Sequence, residues 1–138
     1  MEKASLILYW SARLIAAVIM LQTLYFKFSA SAESVYIFST VGMEPWGRIG
    51  IGILELFAAV LLLINQTAWM GGCLALGLMA GAILMHLTKL GIVVEDDGGY
   101  LFLLAVIVAL CSVLVLMKNK NKIIALAKAP LQLWNIKF

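Results

Sequence analysis

Apolar residues dominate four stretches of this chain, each about twenty residues long and therefore able to cross a bilayer as one helix. They run from Leu6 to Phe28, Gly47 to Ile64, Ala68 to Leu90 and Gly99 to Met117. Polar residues punctuate them. Pro45 stands just before the second stretch, where proline suits a helix start. Asn65-Gln66-Thr67 is a short polar turn that predicts a tight antiparallel hairpin of spans two and three. Gly91 closes span three, and Asp96-Asp97-Gly98-Gly99 puts carboxylates beside the positive end of span four. The pattern predicts an all-α chain: an integral membrane four-helix bundle over residues 1–117, followed by a short basic interfacial tail, 118–138.

Composition strengthens this picture. Of 138 residues, 64% are hydrophobic and 12% charged, and mean hydropathy is +1.08. Soluble domains are nearer 45–50% apolar and about 25% charged, and a chain this small cannot bury so much apolar surface in its own core. Ala30-Ser31-Ala32 has the form of a signal-peptidase site. The run before it is long for a signal, holds Arg13 and ends in Lys27, so span one is read as a retained helix.

Charge sets the expected orientation. Lys118, Lys120, Lys122, Lys128 and Lys137 crowd the tail, whereas Glu33, Glu44, Glu95, Asp96 and Asp97 lie between spans. Basic residues favour the cytoplasmic side, so both termini are expected in the cytoplasm of a bacterial inner membrane, with the acidic segments outside. Ile123, Ile124, Leu126 and Ala127 would form the apolar face of an interfacial helix that Pro130 stops. Trp134 would sit among headgroups, and the lysines would attract anionic lipid. The same lysines produce the net charge of +3; nucleic acid is not suggested as a partner.

Ionisable residues within spans normally face other helices rather than lipid. At 100° per residue, Arg13, Ala17, Met20, Leu24 and Lys27 share one face of span one. Arg48, Gly52, Glu55, Ala59 and Leu62 share one of span two, and Gly72, Ala75, Met79, Ala82, His86 and Lys89 one of span three. Small residues beside each charge favour close helix approach, marking these faces as inward. With a rise of about 1.5 Å per residue, the Arg13 and Glu55 backbones differ in depth by under about 10 Å, and an Arg13–Glu55 pair is expected. Glu55, His86, Arg13 and Lys27 are the candidate ligand or proton site. Arg48 and Lys89 would complete the rim of an outward-opening polar cavity. Register-fixing by a buried pair and snorkelling by the outer cations are the structural alternatives. For His86 the choice is between an interhelical hydrogen bond and a ligand or proton contact.

The single histidine rules out bis-histidine haem ligation or a multi-histidine metal site within one chain, and no metal is expected. Cys73 and Cys111 form no C-x-x-C motif and read as core residues. There is no P-loop or dinucleotide fingerprint. Gly77 and Gly81 form one G-x-x-x-G, which reads as helix packing or a dimer contact, so a homo-oligomer is among the partners considered.

From about Ser11 to Met117 the chain resembles the DoxX and DoxX-like family of small four-helix membrane proteins. The resemblance is carried by Arg13 and Lys27 in span one, and by Gly42, Pro45 and Glu55 in VGMEPWGRIGIGILELFAAVLLL. Ala82 and His86 in AGAILMHL, and DGG before span four, complete it. The chain departs from the family in having Thr23 or Leu24 where a glycine often precedes the lysine, and in its basic tail. The resemblance implies a link to membrane redox chemistry, because some members are subunits of quinone-linked oxidoreductases and others are assembly proteins. On that basis the chain is expected to be a small accessory subunit of a quinone-linked redox complex. No cofactor is intrinsic to it; quinone is the ligand implied, and a redox-enzyme subunit the partner. The alternatives are a non-catalytic membrane scaffold or assembly factor and, third, a small-solute carrier working as an oligomer.

Overall fold

A computed structural model describes residues 2–135, with side chains as far as Pro130; Lys137 and the Trp134 side chain, which carry part of the tail expectation, lie outside it. Among the described residues the chain forms six helices and no strand. They are α1 (Glu2–Phe28), α2 (Ala32–Thr40), α3 (Trp46–Leu63), α4 (Ala68–Met85, prolonged by a π-helical turn His86–Leu90), α5 (Tyr100–Lys118) and α6 (Lys120–Asn135). Helices α1, α3, α4 with its extension and α5 are long and apolar enough to cross a membrane. Their bounds agree with the four expected spans to within about one residue, except that α1 begins at Glu2 rather than Leu6.

The main packings join α1 to α3, α3 to α4, α4 to α5 and α5 back to α1. Small residues line the seams: Ala12, Ala16, Ala17, Ala58, Ala59, Ala68 and Ala75 are all buried, with Met20, Leu62, Val108 and Val115 filling the space between them. The outer faces carry exposed Leu, Ile, Val and Phe side chains, as expected where lipid rather than water is the solvent. The hairpin of α3 and α4 is as tight as its short turn requires. A Cβ on Gly71 would lie 2.5 Å from Leu62 N and 2.9 Å from Ala58 O, so only glycine permits this approach.

Two local expectations are corrected, and one element is added. Helix α6 does not stop at Pro130 but continues to Asn135; the missing N–H costs one hydrogen bond without forcing the helix to end. Cys73 is exposed rather than in the core, while Cys111 is buried. The segment after α1 is not a plain loop. Ser31 caps α2 by accepting a hydrogen bond from Ser34 N, and Ser34 and Phe38 turn inward.

The chain reverses so that the α1 start, the α3–α4 turn and the α5–α6 junction meet at one end. Lys118 Nζ donates to Ser5 Oγ at 2.5 Å, Asn119 Nδ2 to Tyr9 Oη at 3.0 Å, and Lys122 Nζ to Gln66 O at 2.7 Å. The acidic loop and α2 lie at the opposite end.

Candidate functional site

Arg13 and Glu55 do not pair, which corrects the expected ion pair. Side chains on a helix lean toward its N-terminus. Helices α1 and α3 are antiparallel, so Arg13 leans toward the tail end and Glu55 toward the acidic-loop end. Lys27, two turns beyond Met20 on α1, leans back toward Glu55 and takes the partnership, with Nζ 2.9 Å from Glu55 Oε2. Thr23 Oγ1 lies 3.2 Å from the same oxygen and 2.9 Å from Met20 O.

Arg13 is fully buried at the tail end. Its Nε donates to Leu62 O at 2.5 Å and its Nη1 to Asn65 Oδ1 at 2.7 Å. Leu62 lies in the last turn of α3, where carbonyls lack helical partners, so Arg13 caps that helix from a neighbouring one. The guanidinium carbon sits 3.8 Å from the Trp10 ring centroid and 5.1 Å from that of Tyr9. Nη2 is the one buried side-chain nitrogen or oxygen without a hydrogen-bond partner among the described residues.

At the other end lies a cavity of about 580 Å³ between α1, α2, α3, α4 and α5, within the size range of small-molecule sites. Its wall is mostly apolar, and its ionisable groups are Lys27, Glu33, Glu55, His86, Asp97 and Tyr100. Of the expected site, Glu55, Lys27 and His86 line this cavity and Arg13 does not. The expected rim residues also lie off its wall. Arg48 is held by Glu44, with Nε 2.8 Å and Nη2 2.8 Å from Oε1, and it donates to Lys27 O through Nη1. Lys89 is exposed.

His86 begins the π-helical turn. Gly91 ends that turn with φ +81°, a conformation that glycine adopts without strain. This turns its carbonyl to within 2.8 Å of His86 Nδ1. A carbonyl can only accept, so Nδ1 carries the hydrogen, and in the neutral ring Nε2 presents a lone pair. The Phe102 ring packs edge-on against the imidazole at 5.6 Å. Neither Nε2 of His86 nor Oε1 of Glu55 bonds to a described residue, and both side chains line the cavity.

Three wall residues were not anticipated. Thr23 shares the Glu55 carboxylate, and its i, i+4 spacing from Lys27 on α1 is a readable signal. Asp97 accepts from Val94 N, Gly99 N and Leu101 N at 2.9, 2.8 and 3.0 Å, capping α5. Burial pushes its carboxyl up, but these three bonds together with the charge of His86 outweigh it and hold Asp97 below its usual value. Glu33 on α2 is shifted the other way, by burial first and then by the charges of Asp97 and Glu95. No signal in the sequence joined Glu33 to Asp97, because one lies on α2 and the other in the loop before α5.

Comparison with protein-family models, curated proteins and solved structures finds no match.

Proposed function

We propose that this chain is a four-helix bundle of a bacterial inner membrane, with both termini and the basic helix α6 on the cytoplasmic side, serving as an accessory subunit of a quinone-linked redox complex. The observation that carries the reading is an ion pair, Lys27–Glu55, on the wall of a largely apolar cavity at the end away from the lysines. The excess of lysine in the tail supports the orientation, and in that orientation the lysines of α6 would attract anionic headgroups. The resemblance to DoxX-like proteins supports the redox link.

The cavity residues fit a quinone head. Lys27 Nζ has hydrogens to spare beyond its bond to Glu55 and can donate to a carbonyl. Glu55 Oε1 and His86 Nε2 can accept from a hydroxyl. Quinone supplies two-electron, two-proton chemistry when bound. The chain's own residues would orient the head, and Glu55 would hold or release a proton at Oε1. Electron-transfer groups would come from a partner subunit, so the chain is a component and not a self-sufficient enzyme. Mass spectrometry of extracts from the purified protein tests the reading. Quinone above the detergent background is expected, and should be lost in a Gly81→Leu variant that fills the cavity. Quinone at background in the unaltered protein overturns it.

A scaffold or assembly role is the second reading, favoured by Arg13, whose bonds serve only to fix α1 to the α3–α4 turn. It predicts that His86→Ala leaves function intact.

A further inference from the structure

The charge of the cavity leads beyond a neutral ligand and does not depend on the quinone reading. Lys27 and Glu55 cancel at 2.9 Å. Glu33 and Asp97 remain on the wall; neither joins the described ion pairs, Lys27–Glu55 and Arg48–Glu44, and His86 alone offers a charge to Asp97. No other lysine or arginine lines the space: Arg48 is spent on Glu44, and Lys89 is exposed away from it. Glu95 and Asp96, exposed on the neighbouring loop, add to a negative field. Low-dielectric walls focus such a field into the opening.

The apolar part of the wall has a matching character. Met20, Met43, Met79 and Met85 contribute flexible, polarizable side chains, which adapt to ligands of different outline. Phe26 and Phe38 line the same space, and aromatic faces attract cations once water is displaced. Glu55 Oε1, which no described residue engages, is an acceptor on the same wall.

From these observations we infer that the cavity binds a lipophilic organic cation, an ammonium or phosphonium centre on an apolar body of drug-like size. The body fills the methionine-lined space, and its positive centre lies toward Glu33, Asp97 and the open oxygen of Glu55. The crowding of Glu33 by Asp97 and Glu95 is the repulsion that such a ligand relieves.

Tetraphenylphosphonium and tetraphenylborate have nearly the same shape and opposite charge, so together they isolate the charge term. Their binding to the full-length protein in neutral detergent would be measured by equilibrium dialysis against empty micelles. Saturable phosphonium binding is expected, about tenfold or more tighter than borate. Glu33→Gln and Glu55→Gln should each weaken it. Gly81→Leu should weaken it, because Gly81 is a lining residue at which a Cβ meets nothing within 4 Å. Circular dichroism and gel filtration confirm that each variant is folded. Equal or tighter borate binding overturns the inference, as does phosphonium binding that Gly81→Leu leaves unchanged. A short-chain quinone run in parallel separates the two readings: quinone without phosphonium binding defeats the cation site alone, and phosphonium without quinone binding defeats the quinone reading alone.

Discussion

The two ends of this protein each bury a charged side chain, and they treat it in opposite ways. At the tail end Arg13 is enclosed. Its donors go to a helix-terminal carbonyl and an amide oxygen, and its face is covered by Trp10. At the acidic-loop end Glu55 is almost as buried but borders open space, and only one of its two oxygens is engaged. An enclosed charge whose bonds reach only its own chain holds helices in register, even with Arg13 Nη2 left unpaired; a charge left half spent beside a cavity is available to a ligand. The contrast teaches that burial alone does not mark a functional group, since the more deeply buried of the two has nowhere for a ligand to reach it.

The largest effect should come from breaking the enclosed end. Arg13→Ala removes a charged donor from Leu62 O and Asn65 Oδ1 and opens a void beside Trp10, leaving Thr67 as the cap of the α3 end. A loss of about 3 kcal/mol is expected, read as a lower midpoint of thermal unfolding in detergent. Glu55→Gln should cost less, because Lys27 keeps the Thr23 side of the carboxamide and water in the cavity can solvate it. Equal losses for the two variants would remove the distinction between the ends.

The helices and their buried faces were legible in the sequence, but the contrast itself was not, because Arg13 and Glu55 were expected to pair. The four apolar stretches gave the helices, and the faces computed from helical spacing gave the buried sides: Arg13, Ala17, Met20 and Leu24 on α1, and Arg48, Gly52, Glu55, Ala59 and Leu62 on α3, are all buried. The partner of Glu55 was missed because depth was measured between backbones. In antiparallel helices the lean of each side chain matters as much, and it carries Arg13 and Glu55 apart. The short helix α2 was missed because nine residues of mixed polarity between two spans give no span-length signal. Without α2, the meeting of Glu33 with Asp97 could not be read, nor could the negative charge of the cavity.

Two glycines on α4 sharpen the comparison with effects of opposite sign. Gly71 lies near the enclosed end with its Cβ position 2.5 Å from Leu62 N, so Gly71→Ala must push α3 and α4 apart and should cost about 1–3 kcal/mol. Gly81 lies at the open end with nothing within 4 Å of that position. Gly81→Ala should therefore stabilise the helix by up to about 1 kcal/mol, the propensity difference alone. Paired thermal melts of the two variants check this. Destabilisation by both would mean that the α4 wall of the cavity is packed in solution.

The smallest effect concerns the acidic loop, where two carboxyls respond to pH in opposite senses. Asp97 is held below its ordinary 3.8, so the folded state binds its proton less readily than the unfolded chain. Its contribution to stability is complete above about pH 4 and fades as pH falls through the lowered folded value. Glu33 is raised above 4.5. The folded state therefore favours the protonated acid, and stability declines as pH rises from 4.5 through the raised value. In unfolding midpoints taken from pH 3 to pH 7, Glu33→Gln should remove the decline on the near-neutral side. Asp97→Asn should flatten the acid limb while lowering stability at pH 7, because one of the two oxygens that cap α5 becomes a donor. Burial raises Glu33 most and the charge of Asp97 adds to it, so Asp97→Asn should shrink the Glu33 effect without abolishing it. If the two variants act independently, the carboxyls do not share the cavity wall in solution, and the acidic end loses the feature that sets it apart from the enclosed one.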